Sequence, residues 1–310
     1  MFGHVPLGSV IRIATGSGAI QGLLVGRLAR QGGVPGSLMI ETSGPEGASS
    51  LVVETASLRQ EVEVLSEPAP GSMLITCHTA GSKCGVQHVL PSRVAAVEWL
   101  DTHHPGWCAD GTASVFPTHP DTATWANPVP LKLVPSRESE GFRDMPEGTT
   151  GIPLGNAHPG AFGFRRRHHI HEGVDIYVPD GTPVSTVEAG TVVAILPFTG
   201  SIAVPPTPFW NDTWAVLVEG RSGTVVYGEI DPVAVALGDQ VPVGTRVGLV
   251  RRVLIKEKSP PRPMSMLHIE LHRHGTRDAY EWPVDGPHPE SLLDPTEVLL
   301  STCLHGPSKN

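Results

Sequence analysis

Most of the features that would fix a compartment or a partner are missing from this chain. No apolar run approaches the roughly 20 residues that a membrane-spanning helix needs, so no association with a membrane is expected. The opening MFGHVPLGSVIRIATG has no charged segment followed by an apolar core, and no signal peptide is expected from it. The cytoplasm is the default expectation, with export by a route that needs no signal left open. Cysteines number only four, Cys77, Cys84, Cys108 and Cys303, and no two form a CxxC pair. They are too few and too scattered for a disulfide scaffold in 310 residues. Charge is also sparse: 17% of residues are charged and the net charge is -9, which argues against nucleic acid as the main partner.

A hydrophobic content of 39% marks a globular protein, and 35 Gly with 31 Pro favour short strands and many turns over long helices. Three regions follow from the texture. Residues 1-66 alternate apolar and polar positions in five short runs, from Val10-Ile-Arg-Ile13 to Val62-Glu-Val64, separated by Gly- and Ser-rich turns at the spacing of a small β-barrel. Their order resembles Sm-like and SH3-like barrels, and a docking or dimerising barrel is expected in preference to an RNA-binding one. Residues 67-150 form an intermediate region and linker. They hold one expected helix over Pro91-Leu100, with Val94, Val97 and Leu100 on one face. The Cys and His residues between Cys77 and His119 match no structural zinc spacing and read as ordinary thiols and imidazoles. Residues 151-303 are dense in short apolar strands broken by AG, EG, SG and PVG turns, the pattern of an antiparallel β-sandwich or barrel-sandwich hybrid. The fold class expected for the whole chain is mainly β.

Fifteen histidines are many, and histidine is the commonest metal ligand. The stretch His171-Glu-Gly-Val-Asp175 places an imidazole and a carboxylate four residues apart. Met264-Ser-Met-Leu-His-Ile-Glu-Leu-His272 reads as a strand in which Met266, His268, Glu270 and His272 share one face. His171, Asp175 and His268 together make a nitrogen/oxygen triad suited to one Zn2+ per chain, with a coordination position left open. Arg165, Arg166 and Arg167 could bind a substrate carboxylate, but a solvated basic run is the preferred reading. Two longer segments, Pro197-Asp212 and Lys256-Pro263, are candidate rims of a groove, with Phe209 and Trp210 either walling it or anchoring their loop.

The order HEGVD, GTPVSTVEAGTVVAI, VVYGEI, VALGDQVPVGTRVGLV and MLHIEL resembles the lysostaphin/LytM-like zinc metallopeptidases over about residues 155-300. The resemblance implies hydrolysis of peptide cross-links in bacterial cell walls, with a peptide or peptidoglycan-like ligand in a groove. It also selects His171 over His168 and His169 as the ligand paired with Asp175. Two departures stand out. The family's HxH motif has Met266 at its first position here, and its Tyr-x-His motif reads Tyr227-Gly-Glu229. Methionine can neither exchange a proton nor stabilise an oxyanion, whereas a glutamate beside a metal can serve as general base.

Two functions remain from these residues. In the first, a zinc metalloendopeptidase, Glu229 is the base and Tyr227, two residues before it, steadies the oxyanion from the same face. In the second, a catalytically impaired member keeps the zinc and holds a peptide or glycan. A phosphocarrier or lipoyl-like barrel shares the hairpin style, but no modifiable Lys lies in the Gly190 or Gly244 turns.

Overall fold

In a computed structural model of the chain, the described residues are 5–15, 18–28, 37–44, 47–54, 62–77, 87–105, 107, 113–118, 125–136, 147–155, 157–257 and 263–304. The chain forms two compact units, Met1–Thr122 with Leu304–Asn310, and Ala123–Cys303. Both are built mainly from β-strands. No described helix is long and apolar enough to cross a membrane.

In the first unit the five alternating runs become β1 (Val10–Thr15), β2 (Gly18–Leu28), β3 (Ser37–Gly44), β4 (Gly47–Glu54) and β5 (Val62–Ser66). They pair antiparallel in the order β4-β3-β2-β1-β5. Period-two alternation sends Ile11 and Ile13 into a core with Val5, Leu24, Leu38 and Ile40, while Arg12 on the other face pairs with Glu63. Among the described residues no pairing joins β4 to β5, so closure of the expected barrel is not among the described pairings. Residues 55–61 between them lie outside the described set.

Three more strands, β6 (Met73–Cys77), β7 (Gln87–Leu90) and β8 (Ala113–Pro117), form a separate sheet in the order β7-β6-β8. Between them stands the expected helix, α1 (Arg93–His103). Ser92 caps it by accepting the Ala95 N–H at 3.1 Å, the usual remedy for unpaired first-turn donors. Its buried seam is Ala96, Val97 and Leu100 with the stem of Arg93, while Val94 is only half-buried. His88, His103 and His104 gather round the Trp99 ring; Cys84, Cys108, His78 and His119 lie outside the described residues.

The second unit opens with a parallel pair, β9 (Lys132–Ser136) and β10 (Thr149–Pro153). A short pair, β11 (His169–Ile170) and β20 (Trp282–Pro283), stands apart from the main sheet. That sheet holds β12 (Val174–Ile176), β13 (Pro183–Ser185), β14 (Gly190–Thr199), β15 (Thr213–Gly220), β16 (Thr224–Pro232), β17 (Gln240–Val241), β18 (Arg246–Val250), β19 (Leu267–His272) and β21 (Leu292–Leu293). Its main path runs β12-β19-β16-β15-β14-β17, with β18 linking β16 to β13 and β21 flanking β19. The helix α2 (Thr296–Leu304) follows. Trp125 and Ala126 tie into this unit through hydrogen bonds to Ser301 and Val187. Both β16 and β19 are buried over most of their length, as expected of central strands covered on both faces. Functional side chains on them therefore start from a rigid base.

Candidate metal centre and cleft

Pairing between β12 and β19 sets Asp175 directly opposite His268, and β16 sets Gly228 on the other flank of His268. Directly opposed residues of an antiparallel pair share a face with their Cβ atoms about 5 Å apart. His171 arrives from the turn before β12, held by its backbone N–H to Phe164 and its carbonyl to the Gly163 N–H. The three side chains meet. His171 Nε2 lies 3.0 Å from Asp175 Oδ1 and 3.2 Å from His268 Nδ1, and His268 Nδ1 lies 2.8 Å from the same oxygen. All three residues are buried.

The outer nitrogens fix which lone pairs point inward. His171 Nδ1 sits 2.9 Å from the Ala161 carbonyl, which can only accept, so that nitrogen carries the proton and Nε2 is bare. His268 Nε2 donates to Glu270 Oε1 at 2.9 Å, and the other oxygen of Glu270 receives His272 Nε2 at 2.7 Å. His272 Nδ1 in turn meets Ser291 Oγ at 3.1 Å. A carboxylate behind a ligating imidazole fixes its tautomer and raises its basicity. Three electron pairs thus converge in a buried space, an arrangement that calls for a cation. The set is right for Zn2+, two imidazoles and one carboxylate.

In the metal-free protein a proton on His268 Nδ1, facing Asp175, takes part of the place that a cation would fill, and a metal would displace it. Burial alone would raise the Asp175 pKa, but His171, Arg166 and the hydrogen bonds of both imidazoles hold it well below the usual carboxylate range. Burial likewise opposes charge on His268, yet its bonds to Asp175 and Glu270 raise its pKa. His171 is lowered by burial. Glu270 is held down to about 2 against its burial by His268 and His272.

Two glycines make this closeness possible. A Cβ on Gly173 would stand 2.5 Å from the Ile269 carbonyl oxygen and 2.9 Å from the His268 ring. A Cβ on Gly228 would stand 2.7 Å from Phe198, whose ring lies 5.5 Å from that of His268.

Glu229 lines the cleft above the triad, 8% exposed, with Oε2 lacking any hydrogen-bond partner among the described residues. Burial, followed by the charge of Asp175, pushes its carboxyl up to about 8. Its backbone is left-handed, with φ 63°, a conformation costing about 1–3 kcal/mol that recurs at functional positions. Met266 is buried and lines the same cleft.

Tyr227 does not join this group. Its hydroxyl is fully buried and accepts the Val187 N–H at 2.9 Å, and it lines neither cavity beside the triad. The shared face expected with Glu229 is lost because β16 bulges. Trp214 pairs with Ile230 and Val216 with Tyr227, so Gly228 and Glu229 together oppose one residue, and strand parity reverses between Tyr227 and Glu229.

Two residues acquire roles other than those expected. Arg166 is not solvated: Nη2 donates to Asp175 Oδ2 at 2.6 Å and to the Pro159 carbonyl at 3.1 Å. Its signal was the turn from Phe164 to His171, which pairs the Arg166 N–H with the His169 carbonyl. Phe209 is 84% exposed and lines neither cavity beside the triad, whereas Trp210 lines both. Of the second rim, residues 258–262 lie outside the described set, and Pro263 lines the cleft.

With this geometry in place, comparison with known proteins places the domain. Residues 169–279 match the family model of peptidase family M23. The matched segment lies within the second unit and contains all three members of the triad. No curated protein matches the chain. Solved structures similar to it include lysostaphin, with 17% identity, a TM-score of 0.28, and coverage of 46% of this chain and 47% of that one. CbpA from L. salivarius REN shows 19% identity and a TM-score of 0.30, covering 58% and 97%. A zinc-containing peptidase from Vibrio cholerae shows 13% identity and a TM-score of 0.27, covering 76% and 74%. The chain thus spans about half the length of lysostaphin. At these TM-scores the superpositions add nothing to the M23 match and the site geometry.

Proposed function

We propose that the protein is a zinc metalloendopeptidase that hydrolyses peptide bonds in peptidoglycan cross-links or similar Gly/Ala-rich peptides. One observation carries the reading: the bare lone pairs of His171, Asp175 and His268 converge beneath a cleft into which the unpartnered carboxylate of Glu229 projects. A zinc ion bound there supplies Lewis-acid polarisation of a peptide carbonyl. Glu229 takes a proton from the attacking water and returns it to the departing amine. Arg166 holds Asp175 in orientation, while Phe198 and Trp210 line the cleft.

A second reading is favoured by Met266 at the cleft wall, where the family resemblance places a histidine. In that reading the zinc and the groove remain, and the protein binds a peptide or glycan without turning it over. The deciding measurement is zinc content together with cleavage of purified muropeptides and pentaglycine. Wild type should hold one zinc per chain, and His171→Ala should lose it. Glu229→Gln should keep the zinc and lower kcat by about 10²–10⁴-fold. Equal background cleavage by wild type and Glu229→Gln would remove the hydrolase and leave the binding module.

A further inference from the structure

Two cavities flank the triad and share Arg166, His169, Trp210 and Glu229, so they are arms of one cleft. The charges on the two arms differ. The larger, about 540 Å3, adds Arg167 and His168 to Arg166, and its carboxylates are only Asp175 and Glu229. The smaller, about 280 Å3, adds Glu172, Glu270, Asp278 and Glu281, with no lysine and no arginine beyond the shared Arg166 among the described residues.

Internal pairing consumes part of each set. Asp175 is engaged by Arg166 and the imidazoles, Glu270 bridges His268 and His272, and Glu172 accepts the Trp282 N–H at 2.8 Å. The exposed charges that remain are Arg167 on one arm, and Asp278 and Glu281 on the other. Glu229 Oε2 lies between them, nine-tenths buried and unpartnered. Beside the acidic arm runs an apolar wall that includes Phe198, Ala203 and Val204, the last 95% exposed. An apolar wall ending in carboxylates suits an ammonium carried on an aliphatic stem, which lays its methylenes on the wall and its charge at the rim.

We infer that the cleft is charge-polar and selects a zwitterionic peptide, placing an aliphatic amine against Asp278 and Glu281 and a carboxylate against Arg167, with the scissile bond over Glu229. The inference rests on the peptidase reading of the same cleft and adds to it the charge of the substrate. Rim charges in water are screened, so each contact is modest, and its value lies in orienting the peptide and rejecting neutral ones.

The test uses the full zinc-loaded chain with Glu229→Gln, so that binding is read without turnover, and wild type for kcat/KM. Four Ala/Gly peptides differ only in a lysine or acetyl-lysine on one side and a free or amidated C-terminus on the other. The doubly charged peptide should bind tightest. Each cap should weaken binding about two- to fivefold at low salt, and the differences should collapse in about 1 M salt, where the Debye length is about 3 Å. Asp278→Asn with Glu281→Gln should erase the preference for lysine over acetyl-lysine and leave the preference for the free carboxylate. Arg167→Gln should reduce the carboxylate preference alone. Equal binding of all four peptides, preferences that survive high salt, or neutralisations that leave the matching preference intact each overturn the inference. Graded binding with no cleavage by wild type keeps the charge-polar cleft and removes the peptidase. Equal binding with cleavage of all four does the reverse.

Discussion

Tyr227 and Glu229 are two residues apart and do opposite work. The tyrosine hydroxyl is buried, its pKa raised by burial, and it accepts the Val187 N–H. Replacing it with phenylalanine removes the acceptor and strands a buried donor, which costs about 1–3 kcal/mol. Tyr227→Phe is therefore expected to lower the Tm and the denaturation midpoint while leaving zinc content and the specific activity of folded protein unchanged. A drop in kcat at unchanged Tm would return Tyr227 to the reacting groups. Arg166 is the counter-example at this scale. It stands in a run of three arginines that composition alone marks as solvent-facing, and its bond to Asp175 spans nine residues. Nothing in residue type distinguishes it from its neighbours; only the turn at 164–171 does.

Among the elements, the close approach of β12 to β19 depends on Gly173, where a Cβ would meet the Ile269 backbone and the His268 ring. Backbone cannot yield as a flexible side chain does, so Gly173→Ala is expected to push the strands apart and misplace His268. Zinc affinity should fall at least about tenfold, the scale seen when the support of a ligating histidine is lost, and chelator-competition titration would read it. An unchanged affinity would mean that the strands accommodate a methyl group at no cost to the site. This contact also marks how far the sequence could be read. The triad was legible because its spacing is local, four residues from His171 to Asp175, and because period-two alternation puts His268, Glu270 and His272 on one face. The five strands of the first unit were legible for the same reason, since Ile11 and Ile13 alternate with Arg12. The β16 bulge was not. It arises from how many residues of β16 face β15 between Ala215 and its neighbours, a property of a pair of strands and not of either one. Barrel closure is of the same kind, a long-range pairing that alternation within single strands does not encode.

At the scale of the whole molecule, the site sets the pH dependence of stability. In the metal-free protein Glu172 and Glu229 are pushed up by burial to about 7 and about 8, and His268 is raised by Asp175 and Glu270. Each is a group whose folded-state pKa lies above its unfolded value. Such a group contributes stability that is complete below the unfolded pKa and is lost as pH rises through the folded one. His158 and His169 are lowered to about 4, chiefly by burial. Their folded forms bind fewer protons than the unfolded chain between about pH 4 and 6.5, so their contribution grows over that range and is complete near its top. Above pH 6.5 only the raised groups still titrate with that consequence, and the metal-free protein should lose stability steadily towards pH 8. Zinc acts in the other direction, because it binds deprotonated ligands and its affinity rises with pH. Thermal unfolding at pH 6, 7 and 8, with zinc and with a chelator, should therefore give two diverging curves, the chelated one falling and the loaded one level or rising. Glu229→Gln should flatten the fall of the chelated curve, since it removes one raised carboxyl while keeping the shape of the side chain. Parallel curves would mean that zinc and these protons do not compete for the same buried space, and the triad would then not be the metal centre.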